Sequence, residues 1–333
     1  MVRPCLALPD GRFYAFQLGF SVLKPDDIHP GSPDESYRGA TSDKLLFLTD
    51  CYGLYSLVNP FTGSERLLPI PSGFRLHEEE IDEEEGYGSE EMPVRKMVVC
   101  SEGGLVAAIV GHERSSRAAL CKPEAAWSWS LSALDPWCCY TDMAFFDGKL
   151  YALTGDEDLL ALEVSYDSKS GEPRISAIER IIDGGANCYT LKEYTRMRYL
   201  VVRPKDGSML MVCKVMLEYG TTTYELLVFQ ADLRSSRWVQ MDSLGGDEVL
   251  FVGRLCSRAV RADRHDVRGD QIFFLDDSTR PEGLGLPLGD GLANIYDMKD
   301  GSLSELLPMQ THRDGEVPAT WLFREDEDGD AEG

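Results

Sequence analysis

Five arginines spaced four, three, three and four residues apart form the densest group of side chains suited to recognition chemistry: Arg254, Arg258, Arg261, Arg264 and Arg268. A guanidinium is a planar fork of donors that matches a carboxylate, so the group suits an acidic partner or an acidic run of the same chain. On a helix, this spacing would line one face. The segment lies between two β-like runs, however, and Asp263, Asp266 and Asp270 partly neutralise it, which favours a solvated loop. Trp127 and Trp129 are the second candidates for partner binding. Two residues apart in a strand, they share a face. Packing between layers is their expected work, and exposure as binding anchors is the alternative.

Other chemistry is sparse in the sequence. His29, His77, His112, His265 and His312 are too far apart for a local metal-binding pair. No GxSxG elbow occurs, and no phosphate loop ends in Lys-Ser or Lys-Thr. The glycine-rich stretch Gly283–Gly291 carries Pro287 and is read as a surface loop. No catalytic residue, cofactor or metal is therefore expected. The nine cysteines are odd in number and include no CxxC, which fits free thiols in a reducing compartment, cytoplasmic or nuclear. Cys51, Cys100, Cys213 and Cys256 sit in or beside apolar runs, as small hydrophobes would. Nothing basic adjoins Cys138 and Cys139 to lower a thiol pKa.

Charge narrows the partners. Lys and Arg total 33 against 57 Asp and Glu, a formal charge of −24 over 333 residues. Nonspecific nucleic-acid binding and polybasic membrane anchoring both need cationic surface. No apolar stretch reaches the length of a transmembrane helix, and Met1–Phe20 lacks the pattern of a signal or transit peptide. The expected partners are other proteins, not nucleic acid or membrane. Nine acidic residues lie in His77–Glu91 and six in Glu325–Gly333. Such runs lack an apolar period and repel themselves. The expected layout is one domain over 5–323, a disordered acidic insertion at 77–93 and a disordered acidic tail at 324–333.

The elements that would position these groups are strands. Short apolar runs recur between turn residues, and helical periodicity is nearly absent. A glycine turn followed by a β-rich run returns at Gly11, Gly53, Gly103, Gly148, Gly207 and Gly269. Its Asp-Gly copies are natural hairpin turns, because glycine accepts positive φ. Units of about 40–50 residues match WD40 and kelch repeats. The expected fold is an all-β propeller of four-stranded antiparallel blades, six from the marker count, with a two-sheet β-sandwich as the alternative. Pro4–Leu8 and Val317–Phe323 are both short and apolar, and are expected to share one blade.

The order of phrases resembles the plant KIB-type F-box-associated β-propeller family. Leu57–Pro69 (LVNPFTGSERLLP) is similar to its early Asn-Pro-x-Thr-Gly block. Tyr140–Ala144 with Gly148–Leu153 resembles its most recognisable block, and Arg198–Val202, Val249–Gly253 and Gln271–Asp277 resemble later ones. Family members commonly carry an N-terminal F-box, which holds the Skp adaptor of a cullin ubiquitin ligase. Here the first propeller phrase starts at Cys5, so the expectation is a propeller without an F-box, and the Skp adaptor is not counted as a partner. The resemblance implies a substrate-recognition platform, or a free-standing competitor of relatives that carry the F-box. The opposing expectation is a propeller enzyme with its active site at the channel mouth.

Overall fold

The computed structural model describes residues 2–8, 13–16, 20–22, 36–40, 46–49, 55–69, 74–77, 93–100, 104–112, 114–123, 129–132, 134–135, 138–185, 195–216, 224–264, 267–275, 291–308 and 319–325. Among them are 26 strands, no α-helix and one single-turn 3-10 helix at Ala262–Arg264.

The strands join into six sheets. The first holds β1 (Val2–Ala7), β2 (Phe13–Phe16), β3 (Phe20–Val22) and the last strand, β26 (Thr320–Glu325). The second holds β4 (Ser36–Ala40), β5 (Leu46–Thr49), β6 (Tyr55–Val58) and β7 (Glu65–Leu68). In the third are β8 (Phe74–His77), β9 (Val94–Val99), β10 (Val106–His112), β11 (Ser115–Cys121) and β12 (Trp129–Ser132). The fourth contains β13 (Tyr140–Phe146), β14 (Lys149–Thr154), β15 (Leu159–Tyr166) and β16 (Pro173–Ile182). The fifth contains β17 (Thr195–Val202), β18 (Met209–Met216), β19 (Tyr224–Asp232) and β20 (Arg237–Met241). The sixth contains β21 (Glu248–Val252), β22 (Arg258–Arg261), β23 (Gln271–Leu275), β24 (Gly291–Asp297) and β25 (Leu303–Pro308).

Each sheet buries both faces, so its strands read as unbroken apolar runs rather than alternating ones. Tyr199 and Val201 of β17 pack toward the sixth sheet, while Leu200 between them packs toward the fourth. Leu6 faces the sixth sheet, whereas Cys5 and Ala7 face the second. Six apolar cores result among the described residues, each shared by two sheets adjacent in the series, with the sixth sheet returning to the first. This is an all-β propeller, not a two-sheet sandwich.

Two sheets depart from the expected four-stranded antiparallel unit. In the third, β8 adds a fifth strand parallel to β12. In the sixth, β21 runs parallel to β23, and β22 adds a strand beyond β21. The domain limits also move. His77 pairs with Ser132 in β8, and β26 continues through Arg324 and Glu325. The acidic residues 78–91 and 326–332 lie outside the described residues.

The two ends of the fold meet as expected. β26 pairs antiparallel with β1 from Ala7↔Thr320 to Val2↔Glu325. Tryptophans join three alternating seams. The Trp129 indole nitrogen donates to the Pro69 carbonyl at 2.9 Å, that of Trp238 to Glu157 at 2.7 Å and that of Trp321 to Val252 at 3.0 Å. Each crosses to the preceding sheet and satisfies the one polar group of a large buried ring.

Deleting 317–333 would remove Trp321, Leu322 and Phe323 from two cores, and is expected to abolish cooperative unfolding followed by circular dichroism. Deleting 326–333 leaves β26 whole and is expected to move Tm by no more than about 2 °C. Equal shifts would show that β26 does not close the ring.

Candidate functional site

One edge strand from each sheet faces the centre. β26 meets β4, β4 meets β9, β9 meets β13, β13 meets β17 and β17 meets β22. Arg258 of β22 then lies over the Phe323 ring of β26 at 5.4 Å, which completes the circle. Buried Lys96, Asp142 and Arg198 lie on these hub strands, and buried Arg203 follows β17 directly.

The deepest pair is Lys96 on β9 and Asp142 on β13, both buried. The ammonium donates to Asp142 Oδ1, which also accepts the Met143 N–H at 2.7 Å. Asp142 Oδ2 accepts the Leu200 N–H of β17 at 2.7 Å. One carboxylate thus ties the third, fourth and fifth sheets together. Desolvation pushes its pKa upward, and the Lys96 charge and hydrogen bonds oppose that rise.

Further pairs cross the next seams. Arg198 donates twice to Glu157 Oε1, at 3.1 and 3.1 Å. Arg203 reaches Glu248 Oε2 through Nε at 2.9 Å and through its second guanidinium nitrogen, which also donates to the Leu244 carbonyl at 3.2 Å. On the surface beside it, Lys205 pairs with Asp247 at 2.9 Å. The buried members fix the angle between sheets, because breaking one leaves an uncompensated charge inside.

The arginine group takes a form that spacing did not suggest. Arg258 and Arg261 stand in a strand, Arg264 in the 3-10 turn, and Arg254 and Arg268 in the connections on either side. The segment is neither a solvated loop nor a helix, because β22 completes the ladder of β21 through Glu248↔Arg261 and Phe251↔Arg258. Arg254 lies in the β21–β22 connection and Arg261 at the far end of β22, so the five do not form one patch. Arg261 forks onto Asp263 at 3.1 and 2.7 Å, and Arg268 pairs with Asp297 at 3.0 Å. Asp266 and Trp127 lie outside the described residues. Trp129 is fully buried in the core between the second and third sheets.

Sequence reading missed Lys96, Asp142 and Glu248. Asp142 is a lone charge inside an apolar strand run, but Lys96 follows Arg95 and Glu248 follows Asp247, so the sequence shows neither which charge is buried nor what it pairs with. Buried thiols behave as apolar filler: desolvation pushes Cys100 and Cys213 up to about 12. Among the described residues, no three His, Cys, Asp or Glu side chains converge as metal ligands.

The family model for the KIB1-4 beta-propeller matches residues 6–297. The chain belongs to the KIB1-4 beta-propeller family. The match runs from β1 through β24, so it includes the hub strands β4, β9, β13, β17 and β22. No protein of curated function matches the sequence. Solved structures similar to this family member include the Dos1 propeller, with 9% identity, a TM-score of 0.33 and coverage of 83% of this chain and 87% of that one. The AfRom2 CNH domain has 11% identity and a TM-score of 0.37 over 91% and 84% of the two chains. A Kuenenia stuttgartiensis hydrazine synthase chain has 11% identity and a TM-score of 0.36 over 90% and 93%.

Replacing Asp142 with Ala strands the Lys96 ammonium and is expected to cost about 3–5 kcal/mol in urea unfolding. The double change Lys96→Met with Asp142→Leu removes both charges and is expected to cost far less than the two single losses added. Additive losses would show that the pair is not coupled.

Proposed function

We propose that this protein is a rigid protein-binding platform, built as a six-bladed propeller and related in role to the substrate-recognition propellers of ubiquitin ligases. The reading rests on the hub edge. Its buried Lys96, Asp142 and Arg198, with Arg203 just beyond β17, are paired across the seams as Lys96–Asp142, Arg198–Glu157 and Arg203–Glu248, and so hold the strands in place. A frame held in this way keeps its connecting turns at fixed separations, so a partner meets a preorganised surface. Six sheets and six shared cores support the blade number. Family membership and the net charge of −24 support a protein partner over nucleic acid.

Affinity purification of the tagged full chain, with mass spectrometry of the eluate, tests this reading. A specific partner protein retained at near-stoichiometric level is the expected result. Skp adaptor and cullin in that eluate would place the chain in a ligase, and their absence beside a retained partner would make it a free-standing platform. Recovery of nothing above an untagged control would overturn the proposal.

Reversing Arg254, Arg261 and Arg268 to Glu in the same chain asks whether these arginines touch the partner. Capture is expected to fall by about tenfold or more, the size of a hot-spot loss. Unchanged capture would remove them from the binding surface.

A further inference from the structure

The chain passes from the third sheet to the fourth through a short strap after β12. That strap finishes a ladder which β12 leaves incomplete. β12 pairs with β11 only at Ala119 and Leu120, so the earlier residues of β11 need other partners. Ser116 and Cys138 exchange backbone hydrogen bonds at 2.7 and 2.9 Å. Asp135 Oδ2 accepts the Ala118 N–H at 2.6 Å, and Asp135 Oδ1 accepts the Tyr140 hydroxyl. The Tyr140 N–H in turn reaches Ser116 Oγ at 3.0 Å. A side-chain carboxyl here stands in for a missing strand, and Asp135 is fully buried in doing so.

A second strap, residues 242–247 from the fifth sheet to the sixth, is held in a comparable way by Asp270. Asp270 Oδ1 accepts the Leu244 N–H at 2.6 Å, the Ser243 hydroxyl at 2.9 Å and the Gly246 N–H at 3.2 Å. Lys299 adds an ammonium 3.5 Å from Oδ2. Asp270 therefore has three donors and a cation, whereas Asp135 has two donors and no ammonium. Arg117 of β11 is the cation facing Asp135, and it donates to the Ser132 carbonyl. Tyr140 faces it from β13 and the Cys138 thiol from the strap, and Asp158 of the β14–β15 turn faces that thiol.

We propose that the Asp135 strap is a proton-sensitive clasp: the seam between the third and fourth sheets takes up one proton in the mildly acidic range and holds more tightly there than at neutral pH. The Asp270 strap is indifferent over the same range. When the carboxyl is protonated, it can donate to the Tyr140 oxygen while Oδ2 still accepts from Ala118, so the clasp keeps its place.

Both groups are buried, and the difference in their donors agrees with this contrast. Desolvation pushes Asp135 up to about 6, against the hydrogen bonds of Tyr140 and Ala118 and the Arg117 charge. For Asp270, desolvation works upward but is outweighed by the donations of Leu244, Ser243 and Gly246, so it lies below the ordinary carboxylate range. A carboxyl raised by folding contributes stability that is fully present below its unfolded value and is lost as pH rises through its folded value. The window for Asp135 therefore runs from near 4, the unfolded value, to about 6.

The test is urea unfolding of the full chain between pH 4.5 and 7.5, for wild type, Asp135→Asn and Asp270→Asn. The ratio of the wild-type folding constant to that of Asp135→Asn is expected to fall by about tenfold per pH unit up to roughly pH 6, and then level off. The ratio to Asp270→Asn is expected to stay flat. A ratio to Asp135→Asn that does not change with pH would overturn the clasp. If Asp135→Asn does not fold, hydrogen exchange at the Ala118 amide of the wild type decides. The protection factor, corrected for intrinsic exchange, is expected to be higher at pH 5 than at pH 7, and equal protection would reject the proposal.

Discussion

A sheet buried on both faces cannot stand alone, because each face must be matched by a neighbour that has an unmatched face of its own. In this chain the requirement runs through six sheets and is met only when the sixth reaches back to the first. The pairing of β26 with β1 supplies the link: without it the first sheet lacks its hub strand, and Phe251 loses the edge contacts of Trp321 and Phe323, at 5.0 and 6.0 Å between ring centroids. Apolar burial holds the sheets together, but it is non-directional. It does not set the angle at which one sheet meets the next.

That angle is set by polar groups taken out of water. Lys96, Asp142, Arg203 and Glu248 are each costly to bury, and each recovers the cost only in one geometry. The indole donors work in the same sense at lower cost, since a misplaced Trp238 would leave its N–H unpaired inside the fifth sheet's core. Three seams carry an indole bond, and ion pairs cross from the third sheet through to the sixth. The result is a frame whose parts are specified by direction as well as by contact.

The repeat was legible because it is written in turn chemistry, which is local: Gly148 and Gly207 of the recurring phrase both adopt positive φ. Asn59, Asp167, Asp232 and Asp297 each cap their own turn by accepting backbone N–H groups two or three residues on, and the residue four positions later adopts positive φ in all four: Gly63, Gly171, Ser236 and Gly301. Gly207 is required for a second reason, since a Cβ there would come within 2.6 Å of the Phe146 ring. The pairing of β1 with β26 was legible too, from two short apolar segments without partners. The parallel strand β8 and the hub strand β22 were not. Both are four-residue segments carrying arginine, and their place depends on a ladder edge offered from elsewhere in the chain. The partners of Lys96 and Asp142 were illegible for the same reason, being 46 residues apart. The candidate site was legible as a set of arginines, but not as a strand with flanking connections in which Arg261 already holds Asp263 and Arg268 holds Asp297.

The joining of first and last strands also sets a schedule for synthesis. Ala7 pairs with Thr320, so β1 leaves the ribosome with its partner more than 300 residues behind it. At ordinary rates of translation the delay is roughly 15 to 60 s. During that interval the first sheet exposes a strand edge and the apolar side chains of Leu6 and Leu8, which the finished protein gives to the sixth sheet. Edges of this kind invite pairing with the wrong chain. The contact that closes the ring of sheets is thus the last of the ring's contacts to become available.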